Sequence, residues 1–443
     1  MKEPISFYKY KNGLRFYLIN CGQGLTHLII YPDDTVMLYD CNLVEDDENK
    51  GCNKNAILNL LHNVIPYRED ENGNKRQWID IFVNSHRDID HIKGLKDINN
   101  EFPIHSIWDS GQSGESTDNS DYKYYMGLRN RLKEKSKDNL LVPTPSSEAY
   151  RKFGAASVYV LSDAKDYVEE SDEDYLLEFA DRVQHTNCLV LLITFAGRKM
   201  LLTGDSDWKA WKENIIPNFS NMDVNYENTD ILIASHHGSR TFFTNKDEID
   251  VKKYTNDTYI ESLKLINPKV TLISCGKKYD HPHEDAMALY KEYTSCKQVY
   301  VTKELGTFCG LITNDGNFSI TPDRFYNKGG NIGKRIELRC KTNYGLEVHN
   351  GDTVSTGCTL KFSIIGYGGV LEGDTIDIWE VCNSGYDSDD EHHEIYYKEK
   401  GESDGKNAFS RELSYTGIHL LRCELINISK SFMQQIVFVV CGK

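Results

Sequence analysis

The sequence predicts a layered α/β fold in the longer first part of the chain and an all-β sandwich in the rest. The chain has 443 residues, which corresponds to two or three domains. Strand-like runs come first and then alternate with helical patterns, an order typical of sheets covered by helices. Beyond Asp323 helical periodicity almost disappears, while short strand-like runs continue. The predicted domains are residues 1–326 and 332–443, with a Gly-rich linker between them.

The first domain is predicted to open with β-hairpins. β-rich runs at 14–20, 26–31 and 35–40 are separated by turns that contain Gly or Pro-Asp-Asp. Apolar residues at helical spacing predict a helix over 53–65, and an apolar run predicts a strand over 78–83. After residue 184 predicted strands and helices alternate. The strands are 189–195, 199–203, 231–234, 270–274 and 298–302, and the helices are 208–216, 260–266 and 284–293.

Residues 111–184 are more polar than their surroundings and are predicted to be an insertion carried on this scaffold. They include a charged helical stretch at 128–138 and an acidic run at 169–174. The C-terminal domain is predicted to be a β-sandwich, because its strand-like runs are separated by turn residues at short intervals. These runs are 336–341, 359–365, 375–380, 394–397, 417–426 and 435–440, and the acidic segment 387–394 is predicted to be an exposed loop.

Composition excludes several classes of protein. The chain carries 67 acidic and 51 basic residues, a net charge of −16, so a broad basic surface for nucleic acid is excluded. Bound metal ions could still supply positive charge locally. The 12 cysteines include no CxxC pair, which argues against a zinc ribbon or a disulfide scaffold. From the opening residues and the length of the longest apolar run we expect neither a signal peptide nor a membrane-spanning segment, and a reduced, cytoplasmic protein that does not contact a membrane.

Imidazole and carboxylate side chains follow four apolar strands of the first domain. They occur in the segments 85–95, 201–205, 231–239 and 273–283. Strands that end at one edge of an open sheet deliver such side chains to a single crevice. Imidazole nitrogen and carboxylate oxygen together suit Zn²⁺ or Mn²⁺, and two such ions activate water for attack on a phosphoryl or acyl centre. The pattern therefore predicts a metal-dependent hydrolase.

The same segments carry a family resemblance. The motifs His86-x-Asp88-x-Asp90-His91, Thr203-Gly204-Asp205, His236-His237-Gly238-Ser239 and His281-Pro282-His283 resemble those of the metallo-β-lactamase superfamily. The most similar branch is the hydrolase domain of bacterial competence (DNA-uptake) proteins, whose opening signature resembles Asn20-Cys-Gly-Gln-Gly24 together with Leu38-Tyr-Asp40. The match covers roughly residues 5–315. It implies an αββα metallo-β-lactamase fold, followed here by an immunoglobulin-like sandwich.

The resemblance also implies two divalent metal ions, Zn²⁺ or Mn²⁺, and a set of ligands. Position by position, His86 and Asp88 would hold one ion, Asp90 and His91 the other, Asp205 would bridge or approach both, and His236 and His281 would close the site. Two departures from the family pattern stand out. Asp88 occupies a position where many members have His, and no clear third-motif His lies between Leu95 and Thr203. His185 is the only nearby candidate, and it precedes a strand rather than following one.

Roles in the reaction follow from the same assignment. Asp90 is predicted to orient the attacking water or take its proton, and either His237 or His283, whichever is not a ligand, to protonate the leaving oxygen. Ser239 is predicted to bind phosphate or shape its turn. Lys277 is a candidate contact for an anionic substrate, with a purely solvated role equally open. Gly22-Gln23-Gly24 is predicted to be a tight turn, because no Lys-Ser/Thr follows it as in a phosphate-binding loop.

The leading functional prediction is hydrolysis of phosphodiester bonds by a nuclease that acts on DNA in phage defence. The chain's ending, residues 415–443, is similar to β-sandwich sensor modules attached to bacterial nucleotide-signalling and phage-defence proteins. The expected partners are a nucleic acid or nucleotide substrate and a protein that binds the sandwich. One alternative is a hydrolase of small or cyclic nucleotides, which the strong acidity favours. Another is a metal-stabilised binding subunit without turnover, which the missing third-motif His favours.

Overall fold

The chain has a mixed α/β fold that divides into two compact units. One unit comprises residues 12–58 and 78–323, and the other comprises residues 1–11, 59–77 and 324–443. Residues 59–77, which the sequence assigned to the first domain, therefore group with the C-terminal residues. The computed structural model describes residues 13–43, 54–66, 68–73, 75–111, 119–162, 185–219, 225–246, 249–277, 279–322, 335–348, 352–373, 375–384, 392–398, 407–414, 416–427 and 432–443.

The elements up to residue 322 are mostly short strands. In chain order the strands are β1 Leu14–Leu18, β2 His27–Ile30, β3 Val36–Tyr39, β4 Cys41–Asn42, β5 Arg68–Glu69, β6 Lys75–Arg76, β7 Ile79–Asn84, β8 Ile92–Lys93, β9 Ile104–Asp109, β10 Leu140–Leu141, β11 Arg151–Phe153, β12 Ala156–Val160, β13 Leu191–Phe195, β14 Arg198–Leu202, β15 Ile231–Ile233, β16 Val270–Ile273, β17 Gln298–Val301, β18 Phe308–Ile312 and β19 Phe318–Pro322. The helices are α1 Lys54–Val64, α2 Leu95–Glu101, α3 Ser120–Lys135, α4 Ile216–Phe219, α5 Glu261–Ile266, α6 Glu284–Tyr293 and α7 Thr302–Leu305, and a π-helical segment, Ala210–Ile215, leads into α4. Within the described part of the chain, every helix is too short or too polar to cross a lipid bilayer.

Two sheets of the first unit pack face to face. The strand orders are β10-β9-β7-β3-β2-β1-β18-β19 and β11-β12-β13-β14-β15-β16-β17. Strands β3, β7 and β9 run parallel to one another, as do β14, β15, β16 and β17. One buried apolar cluster takes alternate side chains from both sheets, such as Phe16 and Val83 from the first and Leu191 and Leu202 from the second. The main core therefore lies between the sheets.

Helices cover the outer faces of the two sheets. On the second sheet, Leu201 and Leu232 point away from the shared core and join a cluster with Trp211, Leu263 and Tyr290 from the helical segments. On the first sheet, Phe82 points outward between two inward-facing neighbours and its ring meets that of Tyr125 in α3, with ring centroids 6.4 Å apart. The layers of this unit therefore run helix, sheet, sheet, helix.

The segment predicted to be an insertion is partly integral to these sheets. Its described residues, 119–162, supply α3, the edge strand β10 of the first sheet, and β11 and β12 of the second. In β12, Val158 pairs with Ile193 of β13, and buried residues alternate with half-buried ones. Because the whole segment is highly polar, this short alternating pattern was not recognised as a strand from the sequence. The acidic run at 169–174 lies outside the described residues.

The C-terminal residues form two sheets around a core of their own. Trp379, Phe409 and Phe438 belong to this core, and the rings of Trp379 and Phe409 stack 5.2 Å apart. All six predicted strand runs coincide with strands here. The strand at 408–412 was not predicted. Residues 392–394, which were predicted to be loop, begin a strand. The strands are β20 Arg335–Thr342, β21 Glu347–Val348, β22 Thr353–Val354, β23 Thr359–Tyr367, β24 Thr375–Ser384, β25 His392–Lys398, β26 Ala408–Glu412, β27 Gly417–Asn427 and β28 Phe432–Gly442, in the orders β21-β20-β23-β26 and β22-β28-β27-β24-β25.

Candidate metal centre

The predicted ligand segments meet where strands of the two facing sheets end. Strands β14, β15 and β16 are parallel neighbours, so the loops that carry Asp205, His237 and His281 leave from one edge of the second sheet. In the first sheet, Asp40 and His86 follow the parallel neighbours β3 and β7. This convergence is what the repeated order of strand and then polar side chain predicted.

Two clusters of metal-capable side chains lie at this edge. In each cluster, one nitrogen or oxygen atom of every member lies within 4.8 Å of the others. The carboxylate of Asp205 lies between the clusters, with Oδ2 3.3 Å from His91 Nε2, 3.7 Å from His237 Nε2 and 3.8 Å from His86 Nε2. The first cluster is His86, His185 and Asp205, and the second is Asp90, His91 and His237.

His185 belongs to the first cluster, although its position before a strand argued against a ligand role. Its Nε2 lies 3.3 Å from Asp88 Oδ2, and the same oxygen is 3.3 Å from His86 Nε2. The objection that His185 precedes a strand fails because β13 is antiparallel to β14. The start of β13 therefore lies at the same edge as the end of β14, beside Asp205. An imidazole just before an antiparallel partner strand was the signal that could have identified this residue.

Four buried polar atoms of the clusters have no hydrogen-bond partner. They are Nε2 of His86, His91 and His237, and Oδ1 of Asp205. Leaving a buried polar group unsatisfied costs about 1–3 kcal/mol, and more for a charged group. Several such atoms facing one another are what a cation would satisfy, so the residues present fit a metal site on physical grounds.

Hydrogen bonds fix the tautomers of these three imidazoles. Asp40 accepts from the Ser85 backbone N–H at 2.8 Å, from Ser85 Oγ at 2.6 Å and from His91 Nδ1 at 2.7 Å. Since Ser85 gives its hydroxyl proton to Asp40, it must accept from His86 Nδ1, 2.9 Å away. His237 Nδ1 donates to the Ser274 carbonyl at 2.9 Å. In their neutral form all three rings therefore present an Nε2 lone pair to the site, the form that binds metals.

The charges of the site stabilise one another. Burial opposes ionisation of Asp205, but His91 and His237 hold the pKa of this carboxyl well below its usual value. Burial likewise opposes a charge on His91, but Asp205 and Asp40 hold its pKa well above the usual value. Because ligands must lose their protons to bind a metal, protons and metal ions compete for these nitrogens.

The pair His236-His237 divides its two rings between different environments. Both residues have left-handed backbone dihedrals, with φ of 45° and 55°. His237 is buried in the second cluster, where its Nε2 lies 3.5 Å from Asp90 Oδ2. The side chain of His236 is 19% exposed; its Nδ1 contacts Thr241 Oγ1 at 2.7 Å and its Nε2 is 3.6 Å from Asp205. The geometry thus places His237 among the cluster residues, where the sequence assigned His236.

The remaining predicted residues lie around the clusters rather than in them. His281 lies in neither cluster, and its Nδ1 contacts Gln23 Nε2 at 3.1 Å. Burial, together with His237 and His283, lowers the pKa of His281 to about 4. Ser239 is buried and its Oγ accepts from the Thr241 backbone N–H at 3.3 Å, a contact within its own turn. The side chain of Lys277 is exposed.

Comparison with protein families finds a match in the C-terminal part of the chain. Residues 321–440 match the family described as the adenylyl/guanylyl and SMODS C-terminal sensor domain. This range contains the strands β20 to β27 and most of β28. The predicted sensor-like module at the C-terminus is therefore confirmed. No curated protein matches the chain.

Proposed function

We propose that this protein is a metal-dependent phosphodiesterase of metallo-β-lactamase-like fold whose C-terminal sandwich is a sensor module. The helix–sheet–sheet–helix layering of the first unit is consistent with an αββα fold. One observation carries the proposal: three imidazole lone pairs and a carboxylate oxygen, all buried and without hydrogen-bond partners, face a common site at the strand ends. A scaffold without metal has little reason to bury such groups.

Two divalent ions, Zn²⁺ or Mn²⁺, would share these donors. His86, His185 and Asp205 would hold one ion with Asp88 beside it, and Asp90, His91 and His237 would hold the other. Such ions, when bound, polarise a phosphoryl oxygen and lower the pKa of water. The set contains several carboxylates, and oxygen ligands favour Mn²⁺ more than an all-imidazole site would.

The protein's own groups would orient the substrate and move protons. The side chains of Asp90 and Asp88 are 38% and 32% exposed, whereas that of Asp205 is 3% exposed, so an incoming water can reach the first two. Of these, Asp90 belongs to the second cluster, and we assign it the catalytic role. It would orient this water and take its proton. His237 lies in the second cluster, which leaves His283, half-buried at the rim, to face the leaving oxygen. Because its Nδ1 accepts from the Arg240 backbone N–H, His283 would donate a hydrogen bond to this oxygen from Nε2, and the proton itself would come from water.

The sensor-domain match supports a role in antiphage nucleotide signalling. We propose a nuclease that acts on DNA in that setting. With a net charge of −16, local positive charge for a phosphate backbone must come from the metal centre. The same acidity favours a small or cyclic nucleotide as the alternative substrate, because such a molecule needs no extended basic surface. The third reading, a binding subunit without turnover, rests on the missing third-motif His, and His185 of the first cluster would fill that role.

Metal content and cleavage test this proposal together. The protein, loaded with Zn²⁺ or Mn²⁺, is incubated with single- and double-stranded DNA, RNA and cyclic dinucleotides. We expect up to two ions per chain and cleavage of DNA in the wild type, and loss of both in a His86→Ala/Asp90→Ala variant. A His105→Ala/Asp34→Ala variant, changed at positions outside the site, is the matched control. Equal metal content in all three proteins would contradict the assignment, and cleavage of cyclic dinucleotides alone would favour the alternative.

A further inference from the structure

Gln23 is buried in a tightly held loop between β1 and β2. Asn42 Nδ2 donates to the Gln23 carbonyl at 2.5 Å, and Ser274 Oγ donates to the carbonyl of Gly24 at 2.8 Å. A Cβ atom at position 276 would collide with the backbone of Gln23, so glycine there allows the two loops to approach closely. The side chain of Gln23 therefore has a fixed position beside the loop that carries His281.

The orientation of the Gln23 amide follows from its partners. The backbone N–H of Gly276 can only donate, and it donates to Oε1 of Gln23 at 3.3 Å. The NH₂ group of the amide must therefore face His281 Nδ1, 3.1 Å away. An NH₂ group also can only donate, so Nδ1 of His281 accepts. A neutral His281 then carries its proton on Nε2.

This tautomer is opposite to that of the cluster imidazoles. His91 and His237 donate from Nδ1 and present an Nε2 lone pair, whereas His281 presents an Nε2–H. His283 has the same form as His281, because its Nδ1 accepts from the Arg240 backbone N–H at 3.2 Å. The rings of His281 and His283 are 4.8 Å apart, and both are half-buried at the rim. An imidazole held as an Nε2–H donor is unsuited to bind a metal through that nitrogen but well suited to an anion.

We propose that His281 binds an oxygen of the substrate's phosphodiester through Nε2–H, and that Gln23 is the positioning residue that fixes this tautomer. The His281 ring lies 6.3 Å from that of His237, so the donor borders the second cluster, where the phosphate would lie. His283, with the same tautomer, extends the donor surface. This inference rests on the proposed function for the identity of the anion. It replaces the assignment of His281 as a metal ligand.

The tautomer can be read directly from nitrogen chemical shifts. In Zn²⁺-loaded protein labelled with ¹⁵N-histidine, we expect the His281 signals, assigned by their loss in His281→Ala, to show protonated Nε2 and unprotonated Nδ1. The Gln23→Glu variant replaces the amide by a carboxylate of the same shape that can only accept, so the proton should move to Nδ1. Gln298→Glu makes the same chemical change at the start of β17, at the end of the parallel strands opposite to the candidate metal centre. It should leave the His281 tautomer unchanged.

Binding provides the second measurement. The probe is a thymidine dinucleotide with a phosphorothioate linkage, which resists cleavage. A hydrogen bond to a charged group is lost in His281→Ala and in Gln23→Glu, so the Kd should rise about ten- to a hundredfold in both, with unchanged metal content. Gln298→Glu should bind like the wild type. A wild-type His281 protonated on Nδ1, loss of a metal equivalent in His281→Ala, or unchanged Kd in both variants would overturn the inference.

These outcomes separate the inference from the proposed function. Protein that shows the expected tautomer, metal content and binding but cleaves no phosphodiester supports the inference and rejects the hydrolase. Protein that cleaves DNA while His281→Ala loses metal supports the hydrolase and rejects the inference.

Discussion

At the scale of single residues, the partner of each Nδ1 atom decides what an imidazole can do. Asp40 and the Ser274 carbonyl accept from Nδ1 of His91 and His237, so these rings offer a lone pair on Nε2. Gln23 donates to Nδ1 of His281, so this ring offers an Nε2–H. Short motifs do not contain this information. Gln23 and His281 are 258 positions apart, so the sequence could predict the residue types of the site but not their protonation. His185 was within reach of prediction, because the antiparallel pairing of two adjacent apolar runs is a local property.

Replacing Asp40 by Asn should weaken metal binding without removing a ligand. The carboxylate accepts three hydrogen bonds from Ser85 and His91, and an amide, one of whose two polar atoms is a donor, cannot accept all of them. Loss of such an orienting partner typically costs ten- to a hundredfold in metal affinity. Competition with a chelator measures the metal affinity of the wild type and the variant. Asp34→Asn, at a half-buried ion pair with Arg15 in the turn between β2 and β3, is the control and should leave metal affinity unchanged. Equal affinities for both variants would mean that His91 does not depend on Asp40.

Replacing Asp90 by Asn should affect turnover more than substrate binding. The change removes the carboxylate that orients and deprotonates the attacking water while leaving the size of the side chain almost the same. Turnover should fall at least about a hundredfold, the lower end of a general acid–base contribution. Single-turnover cleavage and affinity for uncleaved substrate are compared in Mn²⁺. Near-normal cleavage would reject this role, and a parallel loss of binding would make Asp90 chiefly structural.

At the scale of elements, most strands and several helices were predictable because apolar runs and periodicities are local. Helix α6 coincides with the predicted range 284–293, and β15 and β16 lie within their predicted runs. Strand β9, at Ile104–Asp109, and strand β12 were missed. Both are interrupted by polar side chains, and β12 lies in a segment whose overall polarity suggested an insertion. Pairing with a neighbouring strand, not hydrophobicity alone, decides such cases.

The turn after β14 offers a test of how the fold holds Asp205. Gly204 has φ of 52°, and a Cβ there would lie 2.5 Å from Cys188 Sγ and 2.9 Å from Ser85 Cβ. Gly197 also has positive φ, 73°, but a Cβ there meets nothing within 4 Å. Gly197→Ala should lower the free energy of unfolding only by the left-handed backbone penalty, about 1–2 kcal/mol. Gly204→Ala should lower the free energy of unfolding clearly more than that. It should also lower metal content, since Asp205 follows directly.

Urea unfolding and elemental analysis of both glycine variants measure these effects. Equal destabilisation, with metal content unchanged in both, would show that the packing around Gly204 is not what positions Asp205.

At the scale of the whole molecule, the candidate metal centre lies in one compact unit and nearly all of the sensor-domain match lies in the other. The candidate metal centre draws its described residues from the unit of residues 12–58 and 78–323, and the sensor-domain match falls at residues 321–440. Sequence composition indicated this division because helical periodicity stops near its boundary. Composition could not indicate that residues 59–77 group with the C-terminal residues, since this grouping depends on contacts between residues that are far apart along the chain.

Removing the sandwich should leave the chemical step intact. A fragment ending at Asp323 retains every residue of the two clusters and every strand of the two facing sheets, so it should fold, hold metal and cleave. Residues 59–77 lose the C-terminal residues with which they group, and the resulting changes should be confined to regulation or substrate access. Metal content, circular dichroism and turnover of the fragment are compared with those of the full chain. A folded, metal-loaded fragment without turnover on any substrate of the full chain would mean that the sandwich completes the active site.

The turn His236-His237-Gly238 has a consequence for how this protein evolves. Three consecutive residues have positive φ, and for the two histidines this conformation costs about 1–2 kcal/mol each relative to glycine. Selection for a robust fold alone would replace these imidazoles, because glycine adopts the same backbone without the penalty. Under the proposed function, the two histidines are a compromise in which thermodynamic stability is given up for metal binding. Relatives without the metal site should carry glycine or asparagine here and should be more stable.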